Sequence, residues 1–167
     1  MIALNLIEIG TFMNKLLRSE LFDHFLLQEA TIQSGVSYVI DGHLNMNFYA
    51  NEELEEQGIT EFTFAPFSMV RTNCYDLIKG NRTPSHFKFV FLLSQKHLER
   101  TLTQTKSGLS TSDISAVFLN LNYQNQKLML TTGVSYKTFV LDKSFESEWD
   151  LMIRNFLKKN GISYEEL

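Results

Sequence analysis

Apolar and polar residues alternate along Ile2–Ile9, with Ile2, Leu4 and Leu6 set against Ala3 and Asn5, and a period of two predicts a strand. From Thr11 the period lengthens. Phe12, Met13, Leu16 and Leu17 make a helical stripe, while Asn14, Lys15, Arg18 and Ser19 take the opposite face. Phe22–Gln33 and Val36–Asn45 then read as two strands turned at Ser34-Gly35. The acidic run Asn51–Gly58 reads as a solvated loop or one helical turn closed by its glycine. Ile59–Phe64 alternates again and predicts a strand ending near Pro66. A helix over 68–79 follows, capped by Ser68, with Val70, Cys74, Leu77 and Ile78 inward and Gly80 as its stop.

Asn81–Ser85 is the one clear linker, and after it the same order of elements begins again. Phe87, Phe89 and Phe91 alternate with Lys88 and Val90, and Ser94 caps a helix whose Leu98 and Leu102 face inward. Lys106–Ser112 is a polar loop. Ile114–Tyr123, Lys127–Thr132 and Tyr136–Leu141 read as three strands, turned at Gln124–Gln126 and at Thr132-Gly133. The last helix, 144–160, has the strongest stripe: Trp149, Met152, Ile153, Phe156 and Leu157. Lys158 and Lys159 sit at its C-terminal end, where the helix dipole favours cations. The fold class predicted is α+β, a single domain over 1–167 made of two βαβββ-type repeats (1–80 and 86–160). Its sheet is largely antiparallel with helices packed on it. Gly-Val-Ser-Tyr at 35–38 and 133–136 falls at non-equivalent places on this map and adds nothing to the repeat.

Composition supports an ordered domain: 44% of residues are apolar, with fourteen Phe against two Pro. The net charge of −4 gives no global case for nucleic-acid binding and leaves only local basic patches. A lone cysteine, Cys74, excludes an intramolecular disulfide and a multi-cysteine zinc site, and suits a reducing compartment. The N-terminal run lacks a basic segment and is broken by Glu8, so no signal peptide is expected. The longest apolar run, Phe89–Leu93, falls far short of the roughly 20 residues of a membrane helix. A cytoplasmic protein with no membrane partner is the expectation.

Few side chains fall in a pattern that carries chemistry. Cys74 sits on the inward face of its helix and reads as a small hydrophobe. His24, His43, His86 and His97 form no i, i+4 pair and no His-x-His; the first hairpin could bring His24 to His43, without a carboxylate to complete a metal site. Ser85-His-Phe-Lys88 has the spacing of serine acyl enzymes but leads into a strand, and no Lys-Thr-Gly accompanies it. With no phosphate-binding glycine loop either, the reading is non-enzymatic, with no catalytic residue, cofactor or metal. Three polar faces remain. Lys15 and Arg18 project from the first helix, Lys96 and Arg100 from its counterpart, and a pseudo-twofold would set both pairs on one side to track a phosphate backbone. Against that, each is an ordinary solvated helix face, and Glu99 dilutes the second. Arg71, Tyr75 and Lys79 at i, i+4, i+8, with Arg82 beyond, form an alternative anion or partner face.

Two units of strand, helix and three strands resemble the domain of a DNA sliding clamp, whose helices carry basic side chains to the DNA. That resemblance implies nucleic-acid contact by Lys15, Arg18, Lys96 and Arg100; it departs in the extra helix that ends each unit. The whole sequence also resembles an uncharacterised family of anaerobic Gram-positive bacteria, which implies a cytoplasmic bacterial protein and no mechanism. The function expected is a clamp-like interaction or scaffolding protein, with a protein partner, a second copy or nucleic acid as partner. The alternative is a small-molecule binder or enzyme with its site at the seam between the two units.

Overall fold

A computed structural model describes residues 1–167. The chain forms one mixed α+β layer pair: an eight-stranded antiparallel sheet with helices on one face. The strands are β1 (Ala3–Leu6), β2 (Leu26–Gln33), β3 (Ser37–Asp41), β4 (Ala65–Pro66), β5 (His86–Leu92), β6 (Ile114–Gln124), β7 (Lys127–Tyr136) and β8 (Tyr164–Glu166). The helices are α1 (Ile9–Leu17), α2 (Asn51–Gln57), α3 (Arg71–Ile78), α4 (Gln95–Gln104) and α5 (Ser144–Lys159). Across the sheet the order is β3-β2-β5-β6-β7-β1-β8, with β4 added to the start of β2.

Alternation decides which face is covered. Leu4 and Leu6, Phe87, Phe89 and Phe91, Val117, Leu119 and Leu121, and Leu128 and Leu130 all point into one core with Phe12, Leu16, Trp149, Ile153 and Leu157 of the helices. Burying each such side chain contributes about 1.5–3 kcal/mol. Phe22 joins the elements: its ring packs on Phe12 of α1, Phe91 of β5 and Phe156 of α5. A polar seam ties α5 to the sheet. Thr132, buried on β7, accepts the Ile2 N–H and donates to the carboxylate of Asp150.

The hairpin between β6 and β7 turns at Asn125 and Gln126, both with positive φ, and Ser94 caps α4 by accepting the His97 N–H. Other stretches differ from the sequence reading, each for a local reason. Residues 19–25 turn rather than extend, because Phe22 and Phe25 both lean on the core at a spacing of three, which a strand cannot do. The acidic run is the seven-residue helix α2, closed by Gly58 in the left-handed region. Ile59 folds back on that helix, its N–H bonded to the Leu54 carbonyl, so the predicted strand 59–64 is lost but for a bridge from Phe64 to His43. Ser68 caps nothing: fully buried Phe67 anchors a 3-10 turn, and α3 starts only at Arg71. Thr132-Gly133 is no turn. β7 runs straight through it, with Gly133 opposite Phe118, and Lys137 onward leaves the sheet as a loop.

The second unit therefore has two strands after its helix, not three. The opening strands also take different places: β5 lies beside its own β6, whereas β1 lies between β7 and β8, far from β2. The short β8, which closes the far edge against β1, had no counterpart in the sequence pattern.

Candidate functional site on the open sheet face

The face of the sheet away from the helices is a trough of about 1080 Å³. Its lining comes from the outward slots of five strands. Gln28 and Glu29 come from β2, Val39 and Asp41 from β3, Lys88 and Val90 from β5. Phe118, Asn120 and Asn122 come from β6, Met129 and Thr131 from β7, and His43 closes the rim beyond β3. Strand pairing fixes the neighbours: Lys88 stands opposite Asn122, Val90 opposite Asn120, and Asn120 opposite Thr131. A bulge in β2 between Leu27 and Glu29 lets two consecutive residues, Gln28 and Glu29, reach the same trough.

Hydrogen bonds fix part of this surface. His86 Nε2 lies 2.8 Å from Asn122 Oδ1, so with the ring donating, the amide N–H groups of Asn122 stay free. At the rim, the backbone N–H of His43 and then its ring hold the Asp41 carboxyl below its ordinary value, at 2.9 and 2.6 Å. Asp41 is therefore an anion at any ordinary pH. Lys88 is in no ion pair. The trough thus offers a free ammonium, two carboxylates, three carboxamides and a hydroxyl over an apolar patch of Val90, Phe118 and Met129. Such a set recognises a polar molecule with both donors and acceptors, and its surplus of acid opposes a polyanion.

The residues expected from the sequence lie elsewhere. Lys15 and Arg18 line a shallow concavity with Asn14 and Ser19. Lys96 lines another, shared with Asp23, His24, Glu61 and Glu99, and Arg100 is exposed on α4. Lys96 falls in a different concavity from Lys15 and Arg18, although none of the four residues is in an ion pair. On the alternative face, Asp23 takes the Arg71 guanidinium at 2.9 Å and Asp76 takes the Lys79 ammonium at 2.9 Å. Tyr75 is half-buried under that lysine, and Arg82 is exposed beyond Gly80.

His24 does not meet His43. The turn at 19–25 swings it to α4, where its ring centroid lies 5.7 Å from that of His97, while the His43 ring packs at a tilt against Phe64. Burial, then His24, Arg100 and Lys96, push the His97 imidazole below its ordinary 6.5; Asp23, Glu61 and Glu99 are the acids around the same concavity. A depressed folded value means the unfolded chain takes up more protons on acidification, so this stability is complete above the unfolded value and lost as pH falls through the folded one. Urea unfolding between about pH 7.5 and pH 5.5 should show a loss on acidification that His97→Gln reduces. An equal loss in both proteins would contradict it. Cys74 is fully buried, and burial pushes its thiol up to about 12, which makes it inert. No three His, Cys, Asp or Glu side chains group as a metal needs, and no helix is long and apolar enough to cross a membrane.

None of the trough residues announces itself in the sequence beyond an outward slot. The usable signal is in β6, where Asn120 and Asn122 fill outward slots of a strand in the middle of the sheet. A central strand covered on both faces carries apolar residues in both slots, so these asparagines mark an uncovered face.

Fold and face together define a single-sheet α+β protein with one covered face and one open, polar face. The family model for DUF5721, described as a family of unknown function, matches residues 15–165, and the chain belongs to that family. No curated protein and no solved structure matches it.

Proposed function

We propose that this protein is a non-catalytic binding module whose open sheet face holds a small polar molecule. One observation carries the reading: side chains from both stretches of the chain converge on a single trough across the β2–β5 junction. Its volume of about 1080 Å³ lies just above the usual range of ligand clefts, as suits an open trough. Its lining carries more polar groups than most such clefts, which suits a polar ligand over the small apolar floor. The competing reading, a clamp-like grip on nucleic acid by Lys15, Arg18, Lys96 and Arg100, is weakened by the acids beside Lys96 and by Lys96 lying in a different concavity from Lys15 and Arg18.

A thermal-shift screen against polar metabolites, run beside anisotropy with labelled DNA at low salt, separates the two. A ligand at about 100 times its dissociation constant stabilises by about 2.7 kcal/mol, or roughly 5–10 °C for a domain of this size. The expected result is a stabiliser whose effect disappears in Lys88→Ala and in Asn122→Leu, with no DNA binding. Salt-sensitive DNA binding, lost when the four basic residues become Glu and accompanied by no trough-dependent stabiliser, would reverse the assignment.

A further inference from the structure

The two edges of the sheet are finished differently. β8 is three residues long and carries Glu165 and Glu166, the latter held by Arg154. Short and charged, it is a guarded edge. At the other edge β3 pairs with β2 alone, and its run Ser37-Tyr-Val-Ile-Asp41 contains no lysine, proline or bulge. Val39 is 66% exposed and Tyr38 40%, and Val36 just before them is 61% exposed. No strand of this chain pairs with that edge.

We propose that β3 is a dimerisation strand, through which two copies of this chain pair antiparallel about a two-fold axis at Val39. The strand is self-complementary in that register. Val39 meets Val39 of the second copy, Tyr38 meets Ile40, and Ser37 meets Asp41, so a hydroxyl stands across from the only charge. Tyr38 and Ile40 share the helix-side face, because they stand opposite Ile32 and Ala30 of β2; Ser37, Val39 and Asp41 share the open face. Five residues a side, against the roughly 20–30 of a standard interface, make this a small contact, so the dimer is a weak, concentration-dependent one. Pairing also changes the trough. Val39 and Asp41 form its wall, and the same residues of the second copy continue it across the axis into one longer surface. The dimer does not depend on what the trough binds.

Sedimentation velocity on the full chain, from low to high micromolar concentration, should show a mass rising from 19.3 kDa toward twice that value. Val39→Lys sets two ammonium groups against each other at an exposed site and should raise the dissociation constant at least about tenfold. Val39→Thr, which keeps strand propensity, should leave the dimer within a few-fold of wild type. Because Cys74 is buried, Val39→Cys adds the only accessible thiol and should form an oxidised dimer faster than Glu165→Cys on the guarded edge. A wild-type protein that stays at 19.3 kDa, or a dimer that Val39→Lys leaves unchanged, overturns the proposal.

Discussion

Gly42→Ala is expected to detach β3 from the sheet. A Cβ at residue 42 would lie 1.7 Å from the Leu27 carbonyl oxygen and 2.7 Å from its carbon, so the obstacle is backbone that cannot rotate away. Gly42 is also bonded where it stands: its N–H donates to the Gln28 carbonyl, and its own carbonyl accepts the Ala65 N–H. The backbone at Gly42 and Leu27 is this close beside the bulge in β2, so only a residue without a side chain fits there. Relief requires the segment 38–44 to move off β2 as a unit. A loss of about 3 kcal/mol or more is expected from urea unfolding, at the top of what overpacking costs. Hydrogen exchange should show β3 unprotected while β5 and β6 stay protected. Asp41, His43 and Val39 move with the strand, so the trough loses one wall. Native-like stability in this variant would mean that the close approach is not built into the fold.

Phe22→Ala is the second large effect. Phe22 is fully buried in a turn rather than in a helix or strand, with ring centroids of Phe12 and Phe156 both 5.5 Å away and Phe91 at 6.0 Å. It is the common neighbour of α1, β5 and α5, so its removal opens a cavity that no single element can close by shifting. A cost of about 3–5 kcal/mol follows from truncating a buried phenylalanine, and the edge-on ring pairs push it toward the upper figure. Phe22→Leu should cost roughly half as much, because it keeps most of the volume. A cost for Phe22→Ala below about 1 kcal/mol would show that the turn relaxes over the gap and that the three elements are held together elsewhere.

These two residues also mark where the sequence is readable and where it is not. Phe87, Phe89 and Phe91 alternate, and that alternation places β5 and its core face without ambiguity, as the i, i+4 stripe of Trp149, Ile153 and Leu157 places α5. Phe22 is misleading because it continues an apolar run that leads into a true strand, and only the fold shows that it turns. Thr132-Gly133 misleads the other way. A hydroxyl and a glycine suggest a turn, yet the hydroxyl is buried on Asp150 and the glycine lies under Phe118 in a continuous strand. The second misreading inflates the likeness between the two units, since a turn at Thr132-Gly133 supplies the missing third strand of the second. The trough stayed hidden because its members, Gln28, Lys88, Asn120 and Thr131 among them, are scattered over about a hundred residues and meet only through strand order. Basic residues on helices are visible one at a time, which is why they are easier to single out and less informative.

The claim that the open sheet face is the binding surface is tested most directly by the side-chain amide signals of Gln28, Asn120 and Asn122 in a ¹H–¹⁵N spectrum, titrated with the strongest stabiliser from the thermal-shift screen. Shifts concentrated on those three groups and on the backbone of β2, β5, β6 and β7 are the predicted result. Shifts confined to α1 and α4, around Lys15, Arg18, Lys96 and Arg100, would contradict it and move the site to the helix side of the molecule.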